Sequence, residues 1–341
     1  MDYSVTISQW KRPLRVGRGD SILAAALVAG VPYPHGCSSG NCGICRSRLL
    51  SGEVTLSPHS KFALTADERA DGLILACRAL PRSDCTVAWL ELDQAAAHPR
   101  QSLDCRVVGI EAATHDIRIV RLEAPDGRRF DFSAGQYASV TFEGAPPRDY
   151  SMGNRPDQPV LEFHIRRVSD DGASAHVAEA LSNGDPVRVE GPFGDCYLRR
   201  HHRGPIVAIA GGSGLAPIKS IIETALARGM RQPMHLYLGV HDERDIYLED
   251  HIRGLARRHR NLAFTPVLSK PGGPTARRTG PVIEGLARDL PDLDGSMAYL
   301  AGPPAMVEAG SRALQALGMR PQDIHADAFY SEAEKAARVT C

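Results

Sequence analysis

At about 150 residues per domain, a chain of 341 residues holds two or three domains. Its 40 Lys and Arg residues balance 40 Asp and Glu residues, so the formal net charge is zero, no cationic field exists to hold phosphate backbone or anionic lipid, and neither nucleic acid nor membrane is expected as a partner. A composition of 43% hydrophobic and 23% charged residues excludes wholesale disorder, and the longest apolar run, residues 22–31, is too short to span a bilayer, so a cytoplasmic protein without a leader is expected.

In chain order, residues 1–94 read as an α+β unit: short strands over 5–7 and 14–16, a helix opening at Ser21, a loop rich in Cys, Gly and Ser, and later strands near Ile74 and Val87. The small, polar, proline-containing stretch at 95–102 reads as a linker. Over residues 103–200, short apolar runs recur between Gly, Pro, Asp and Asn, the spacing of a small antiparallel β-barrel. Residues 201–330 change pattern. An apolar strand at 206–210, a glycine turn, a helix over 217–228 and a strand at 234–240 announce a doubly wound α/β domain, continued by strands at 263–268 and 297–301. Residues 331–341 read as a polar tail.

Cys37, Cys42 and Cys45, followed by Cys77, have the C-x4-C-x2-C…C spacing of a plant-type [2Fe-2S] site. Three thiolates from one loop converge only if the backbone wraps closely, and Gly40 and Gly43 allow that approach. Structural zinc or four buried thiols are the competing readings, although structural zinc usually takes two short cysteine pairs. Cys85, Cys105, Cys196 and Cys341 have no such company and receive no role.

In the middle segment, Arg148, Tyr150 and Ser151 of an Arg-Asp-Tyr-Ser run place a guanidinium, a ring and a hydroxyl together, able to grip a diphosphate, cover a flat ring and bond its edge. His164, Ile165 and Arg166 lie on a second basic strand, and Gly172 and Ser174 open a helix whose N-terminal N–H groups can accept phosphate. Together they fit a flavin dinucleotide, with ordinary surface and core residues as the alternative. Gly212, Ser213, Gly214 and Pro217 join strand to helix where open α/β sheets bind ligands, and Gly302 and Pro303 repeat the device at a later strand end. Two such turns can flank one nicotinamide dinucleotide, whereas either alone can be a tight turn. Asp242, in His-Asp-Glu-Arg-Asp, would bond ribose hydroxyls and favour NADH over NADPH; a solvated charge run is the competing explanation, and Arg244 opposes the preference.

The order CSSGNCGIC with Cys77, RDYS, GGSGLAP, AGPPAMVEA and HADAFY covers nearly the full chain and resembles the three-domain ferredoxin–NAD(P)H reductase components of bacterial ring-hydroxylating dioxygenases, especially the naphthalene dioxygenase reductase type. The terephthalate, benzoate and phenol oxygenase reductases are similar in outline. The resemblance implies a multidomain protein: an N-terminal β-grasp ferredoxin, an antiparallel β-barrel carrying FAD and a C-terminal doubly wound α/β domain carrying NADH. By the same resemblance Arg148 holds diphosphate, Tyr150 packs on the flavin ring, Ser151 bonds near its N5, and Phe329 with Tyr330 lies on its other side.

Electrons would then run from NADH to FAD to the cluster, and on to a Rieske ferredoxin or directly to a terminal oxygenase; a monomer is expected. The cofactors carry the chemistry, no catalytic side chain is required, and His35, His164 and His241 are read as structural. Two departures stand out. Ala301 occupies a position where many relatives carry Cys, and Asp170-Asp171 replaces a Gly-Gly pair, leaving Gly172 alone in the flavin-phosphate loop. A diiron monooxygenase or a deoxysugar-dehydrating enzyme as acceptor, or a cluster-based redox sensor, are the alternative functions.

Overall fold

The computed structural model describes residues 2–10, 12–35, 38, 40, 43–60, 63–90, 98–169 and 171–330. Two compact units are present, one built on residues 1–97 and one on most of residues 98–330.

The first unit runs β1 (Tyr3–Ile7), β2 (Leu14–Val16), α1 (Ile22–Val28), β3 (Arg46–Ser51), β4 (Val54–Leu56), α2 (Ala66–Ala70), β5 (Leu73–Leu75), β6 (Ala79–Pro81) and β7 (Cys85–Trp89). Its main sheet has the order β2-β1-β7-β3-β5, with β1 parallel to β7 and the other pairings antiparallel, while β4 pairs separately with β6. Helix α1 starts where the Ser21 side chain accepts the Ala24 N–H, and it buries Ile22, Leu23 and Ala26, the i, i+1, i+4 face that packs on the sheet. Thr65 and Glu68 close a capping box on α2. Alternate residues Val5, Ile7 and Val87 point into the core, as a half-buried sheet requires.

The second unit opens with β8 (Gln101–Ala112), β9 (Ile117–Glu123), β10 (Tyr137–Phe142), β11 (Arg148–Ser151), β12 (Leu161–Arg166), α3 (Gly172–Glu179) and β13 (Pro186–Phe193). These strands are ordered β11-β10-β13-β8-β9-β12, and an antiparallel bridge between Met152 and Phe163 joins the two outer strands, closing the sheet into the expected barrel. Strand β8 takes in Gln101 and Ser102, the last residues of the stretch read as linker, because Gln101 pairs with Gly191 and Ser102 with Glu190.

The same unit continues through β14 (Ile206–Gly211), α4 (Leu215–Ala227), β15 (Met234–Val240), α5 (Glu249–Arg258), β16 (Leu262–Leu268), β17 (Arg278–Thr279), α6 (Val282–Asp289), β18 (Met297–Gly302), α7 (Pro304–Ala316) and β19 (Ile324–Ala328). All six strands are parallel in the order β17-β16-β15-β14-β18-β19. The winding reverses between β14 and β18, so the loops leaving these neighbours flank the crevice that such sheets use for ligands. Strands β14 and β18 are buried along their whole length, which explains their unbroken apolar sequence. Helix α4 starts at Leu215 rather than Pro217, because Gly212–Gly214 form a 3-10 turn that runs straight into it. No helix among the described residues is long and apolar enough to cross a membrane.

Candidate functional site

In the N-terminal unit Cys45 immediately precedes β3 and Cys77 follows β5. The Ala76 N–H donates to the Cys45 carbonyl at 3.0 Å, which extends the β3–β5 pairing and draws the two buried thiols to one end of it. Gly40 and Gly43 both have left-handed backbone, at φ +81° and +74°. A Cβ at Gly40 would lie 2.8 Å from the Arg78 side chain and 2.9 Å from His59 Cβ, so this loop admits no side chain there. Cys37 and Cys42 lie outside the described residues. What is present fits an iron–sulfur centre: two buried thiols, glycine backbone beside them, and the buried Nε of Arg78, next in sequence to Cys77, without a hydrogen-bond partner among the described residues. Burial pushes the Cys85 and Cys105 thiols up to about 11, which leaves them protonated and inert, in keeping with the absence of any assigned role.

In the second unit, β11 carries the Arg-Asp-Tyr-Ser run against β10, with Ser151 opposite Tyr137 and Tyr150 opposite Ala138. The Arg148 guanidinium donates to the Pro147 carbonyl. Tyr150 packs on the barrel core, and burial raises its hydroxyl to about 12. The Ser151 hydroxyl donates to Asp327 Oδ2 at 3.0 Å, so β11 meets β19 through a side-chain bond. Burial raises the Asp327 carboxyl to about 6, against the opposing Ser151 bond, with Asp149 adding to the rise. The sequence reading missed Asp327, since an acid inside the alternating His-Ala-Asp-Ala-Phe strand does not by itself separate a buried partner of Ser151 from a surface residue.

On β12 the three nominated residues separate. Ile165 is core. Arg166 donates from Nε to Asp116 at 2.6 Å, and its guanidinium lies 3.5 Å from where a Gly212 Cβ would stand. His164 is fully enclosed. Its Nε2 faces Glu162 Oε1 at 3.1 Å; a carboxylate only accepts, so Nε2 carries the proton and Nδ1 accepts from the Tyr247 hydroxyl at 2.8 Å. Burial first, and the nearby cations after it, lower the His164 pKa despite Glu162.

Glu162 also receives Lys219 Nζ at 3.1 Å and Arg121 Nε at 3.2 Å. Burial opposes its charge, but the His164 bond and Lys219 together hold the carboxylate ionised far below the usual range. Lys219 donates in addition to the Gly153 carbonyl at 3.0 Å, and Ser220 Oγ to the Asn154 carbonyl at 2.6 Å. Helix α4 is thereby tied to the chain leaving β11. Gly172 opens α3 in a left-handed conformation, φ +74°, and the buried Ser174 hydroxyl accepts from the Val168 N–H at 3.4 Å.

The two glycine turns interlock. A Cβ at Gly214 would stand 2.1 Å from the Ala301 carbonyl oxygen, and one at Gly302 2.8 Å from the Gly211 carbonyl oxygen. Pro303 and Met306 crowd Gly211 from the other side. Ser213 and Gly212 stay partly open at the start of α4, whose first-turn N–H groups receive no side-chain cap, and Pro217 is buried in that turn. The partly open Gly212 and Ser213, the close backbone and the Arg166 guanidinium fit a diphosphate, although the Leu215 N–H is already taken by the 3-10 turn. The Phe329 N–H donates to the Gly302 carbonyl at 2.9 Å, so the aromatic ending starts beside the second turn.

Asp242 stands apart. Its carboxylate accepts from the N–H groups of Gly272 and Glu243 and stays ionised below the usual range through those bonds; Glu243 accepts from Thr275 and Arg277. Both acids organise the loop after β16. Among the other histidines, His35 bonds the Tyr33 carbonyl and His241 the Ser269 hydroxyl, both ordinary structural contacts.

Three domain families match in chain order: a 2Fe-2S iron–sulfur cluster binding domain over residues 5–82, an oxidoreductase FAD-binding domain over 104–197 and an oxidoreductase NAD-binding domain over 208–312. The chain is 42% identical over 318 residues to the ferredoxin–NAD(P)+ reductase component of the naphthalene 1,2-dioxygenase/salicylate 5-hydroxylase systems of Ralstonia sp, covering 93% of this chain and 95% of that one. It is 36% identical over 312 residues to the corresponding component of the Pseudomonas putida naphthalene 1,2-dioxygenase system, covering 92% and 94%. Among solved structures, the Amycolatopsis cytochrome P450 reductase GcoB superimposes with a TM-score of 0.75 at 36% identity, covering 96% of this chain and 98% of that one. With three domains matched in chain order and a 42% identical relative aligned nearly end to end, the chain belongs to the family of ferredoxin–NAD(P)+ reductase components and joins iron–sulfur, FAD and NAD domains in one polypeptide.

Proposed function

We propose that this oxidoreductase is the reductase of a ring-hydroxylating dioxygenase system, taking electrons from NADH through FAD and a [2Fe-2S] centre to a Rieske ferredoxin or to the terminal oxygenase that attacks an aromatic compound. The observation that carries this reading is the near full-length likeness to two naphthalene dioxygenase reductase components. When bound, the flavin supplies the conversion of an electron pair into single electrons that an iron–sulfur centre can accept.

The chain's own residues supply placement. Cys37, Cys42, Cys45 and Cys77 are the cluster ligands. Arg148 holds flavin diphosphate together with the backbone near Gly172 and Ser174, Tyr150 lies on the ring, and Phe329 closes the other side. Ser151 bonds the ring edge, and behind it Asp327, raised to about 6, can hold or give a proton near neutrality. Ile165 and the enclosed His164 support the flavin strand from within, whereas the Arg166 guanidinium faces the turn at Gly212 and neutralises phosphate.

Gly212, Ser213, Gly214 and Pro217 take the nicotinamide dinucleotide's diphosphate, and Gly302 with Pro303 its nicotinamide end. Asp242, ionised beside Glu243, disfavours a 2′-phosphate and so favours NADH. The domains are read as 1–94, 101–200 and 201–330, with the linker shortened to 95–100 because Gln101 and Ser102 pair in β8, and with a tail at 331–341. The reading is of a cytoplasmic monomer, and a formal net charge of zero argues against a nucleic-acid partner.

The test is Cys77→Ser in the purified holoprotein. NADH-driven bleaching of the flavin is expected to persist, while turnover of a Rieske ferredoxin and its dioxygenase drops to background. Full oxygenase turnover without the centre would overturn the order of carriers.

A further inference from the structure

Arg78 occupies the turn between β5 and β6, its N–H donating to the Leu75 carbonyl and its carbonyl accepting from Ser57. Its aliphatic stem crosses the cysteine loop at Gly40, where a Cβ would meet Cγ at 2.8 Å and Cδ at 3.0 Å. Among the described residues the buried Nε has no hydrogen-bond partner and the guanidinium makes no ion pair. Arg46, the other arginine at this loop, differs: its Nε donates to the Ala63 carbonyl at 2.7 Å and its guanidinium pairs with Glu68 at 3.5 Å. A protein gains nothing by burying an N–H without an acceptor, and such a donor points to a group that completes it. Four thiolates and two sulfides around two irons form a cluster of net negative charge whose sulfurs accept hydrogen bonds, and one-electron reduction makes that charge larger.

We propose that Arg78 donates its Nε–H to a sulfur of the [2Fe-2S] centre, and that this bond together with the unpaired guanidinium charge raises the centre's reduction potential. The inference rests on Cys77 being a cluster ligand. The device favours arrival of the electron at the centre, because the reduced form gains most from a nearby donor and cation. Gly40 is part of it, since only a residue without a side chain lets the arginine stem pass.

The experiment is a redox titration of the holoprotein, followed by the electron paramagnetic resonance of the reduced centre, in Arg78→Gln and Arg78→Lys, with iron and sulfide counted in each. A downward shift is expected in Arg78→Gln and a smaller one in Arg78→Lys, which restores charge but not the donor at that depth. Potentials equal to the unsubstituted protein's, with iron and sulfide fully retained, would overturn the proposal. Unsubstituted protein devoid of iron and sulfide would instead overturn the ligand assignment. If neither variant loads iron, electron spin echo spectra of the unsubstituted, reduced holoprotein grown on arginine labelled with 15N at Nε decide: a weak coupling to the label supports the bond, and its absence refutes it.

Discussion

Replacing Asp327 with Asn separates what this carboxyl does for stability from what it does beside Ser151. Its pKa stands at about 6 in the folded protein against an ordinary value of 3.8, chiefly because burial disfavours the charged form. A carboxyl raised in this way binds its proton more tightly folded than unfolded. Its favourable contribution is therefore complete below about pH 4 and lost as the pH climbs through about 6. A gap of about two pH units corresponds to about 3 kcal/mol, which the charged carboxylate costs above pH 7; because the residue is half-buried, this figure is an upper bound. Asparagine keeps the shape and can still accept the Ser151 hydroxyl, now without charge. Asp327→Asn is thus expected to match the parent near pH 4 and to exceed it at pH 8 by up to about 3 kcal/mol, or about 6–12 °C in melting temperature for a unit of this size. Differential scanning calorimetry of the holoprotein between pH 4.5 and 8 measures the gap, and steady-state NADH oxidation on the same samples measures the cost, expected as slower turnover despite greater stability. A difference between variant and parent that is the same at every pH would refute the reasoning.

The buried pair between Lys219 and Glu162 gives a second expectation: Lys219→Met leaves the carboxylate with less than its full set of partners and destabilises the second unit by about 3 kcal/mol, while adding Glu162→Gln recovers most of the loss. Strictly additive effects in the double-substitution cycle would contradict the ion-pair account. Gly214→Ala must displace the Ala301 carbonyl, 2.1 Å from the new methyl carbon, and overpacking of about 1–3 kcal/mol at the interlocked turns should raise the KM for NADH by about 10- to 100-fold with flavin content unchanged. An unchanged KM would show that the turns do not bind the dinucleotide.

Much of this arrangement was readable because its determinants are local. A strand, a run of glycines and a helix occupy consecutive residues at Gly211–Gly214, and the left-handed turn at Gly212 leaves a direct mark in composition. Ser21 and its capped helix are local in the same sense. Asp327 was not legible, because its partner Ser151 is 176 residues away and an isolated acid in a strand reads equally well as surface. Lys219 and Glu162 were missed for the same reason, standing 57 residues apart on elements whose separate patterns are an apolar helix and an alternating strand. His164 shows the converse limit. Its strand was identified, but only the fold shows that the ring faces Tyr247 and Glu162 and leaves no free edge for a cofactor.

These long-range polar contacts bear on how the second unit keeps its geometry. Apolar surfaces tolerate sliding, since one methyl packs nearly as well as its neighbour, whereas a buried ion pair has a single favourable register and a large cost on either side of it. Helix α4 leaves the first glycine turn and places Lys219 on Glu162 and on the Gly153 carbonyl, two residues beyond Ser151. Tyr247, whose hydroxyl proton goes to His164, stands with its oxygen 3.3 Å from the Gly212 carbonyl oxygen. On the opposite flank, Ser151 itself bonds Asp327, whose strand ends beside the second turn. The segment that carries Tyr150 and Ser151 is consequently pinned from both sides of the sheet's switch point by groups that cannot slip without stranding a charge or a donor. Placement of a ring against a nicotinamide demands that kind of stiffness, because transfer between them falls off steeply with separation and angle. On this argument the polar groups are retained for register, and an apolar Met–Leu replacement of the Lys219 and Glu162 pair would strand the enclosed His164 Nε2–H and the Gly153 carbonyl, so it is expected to lose stability as well as to loosen the turn.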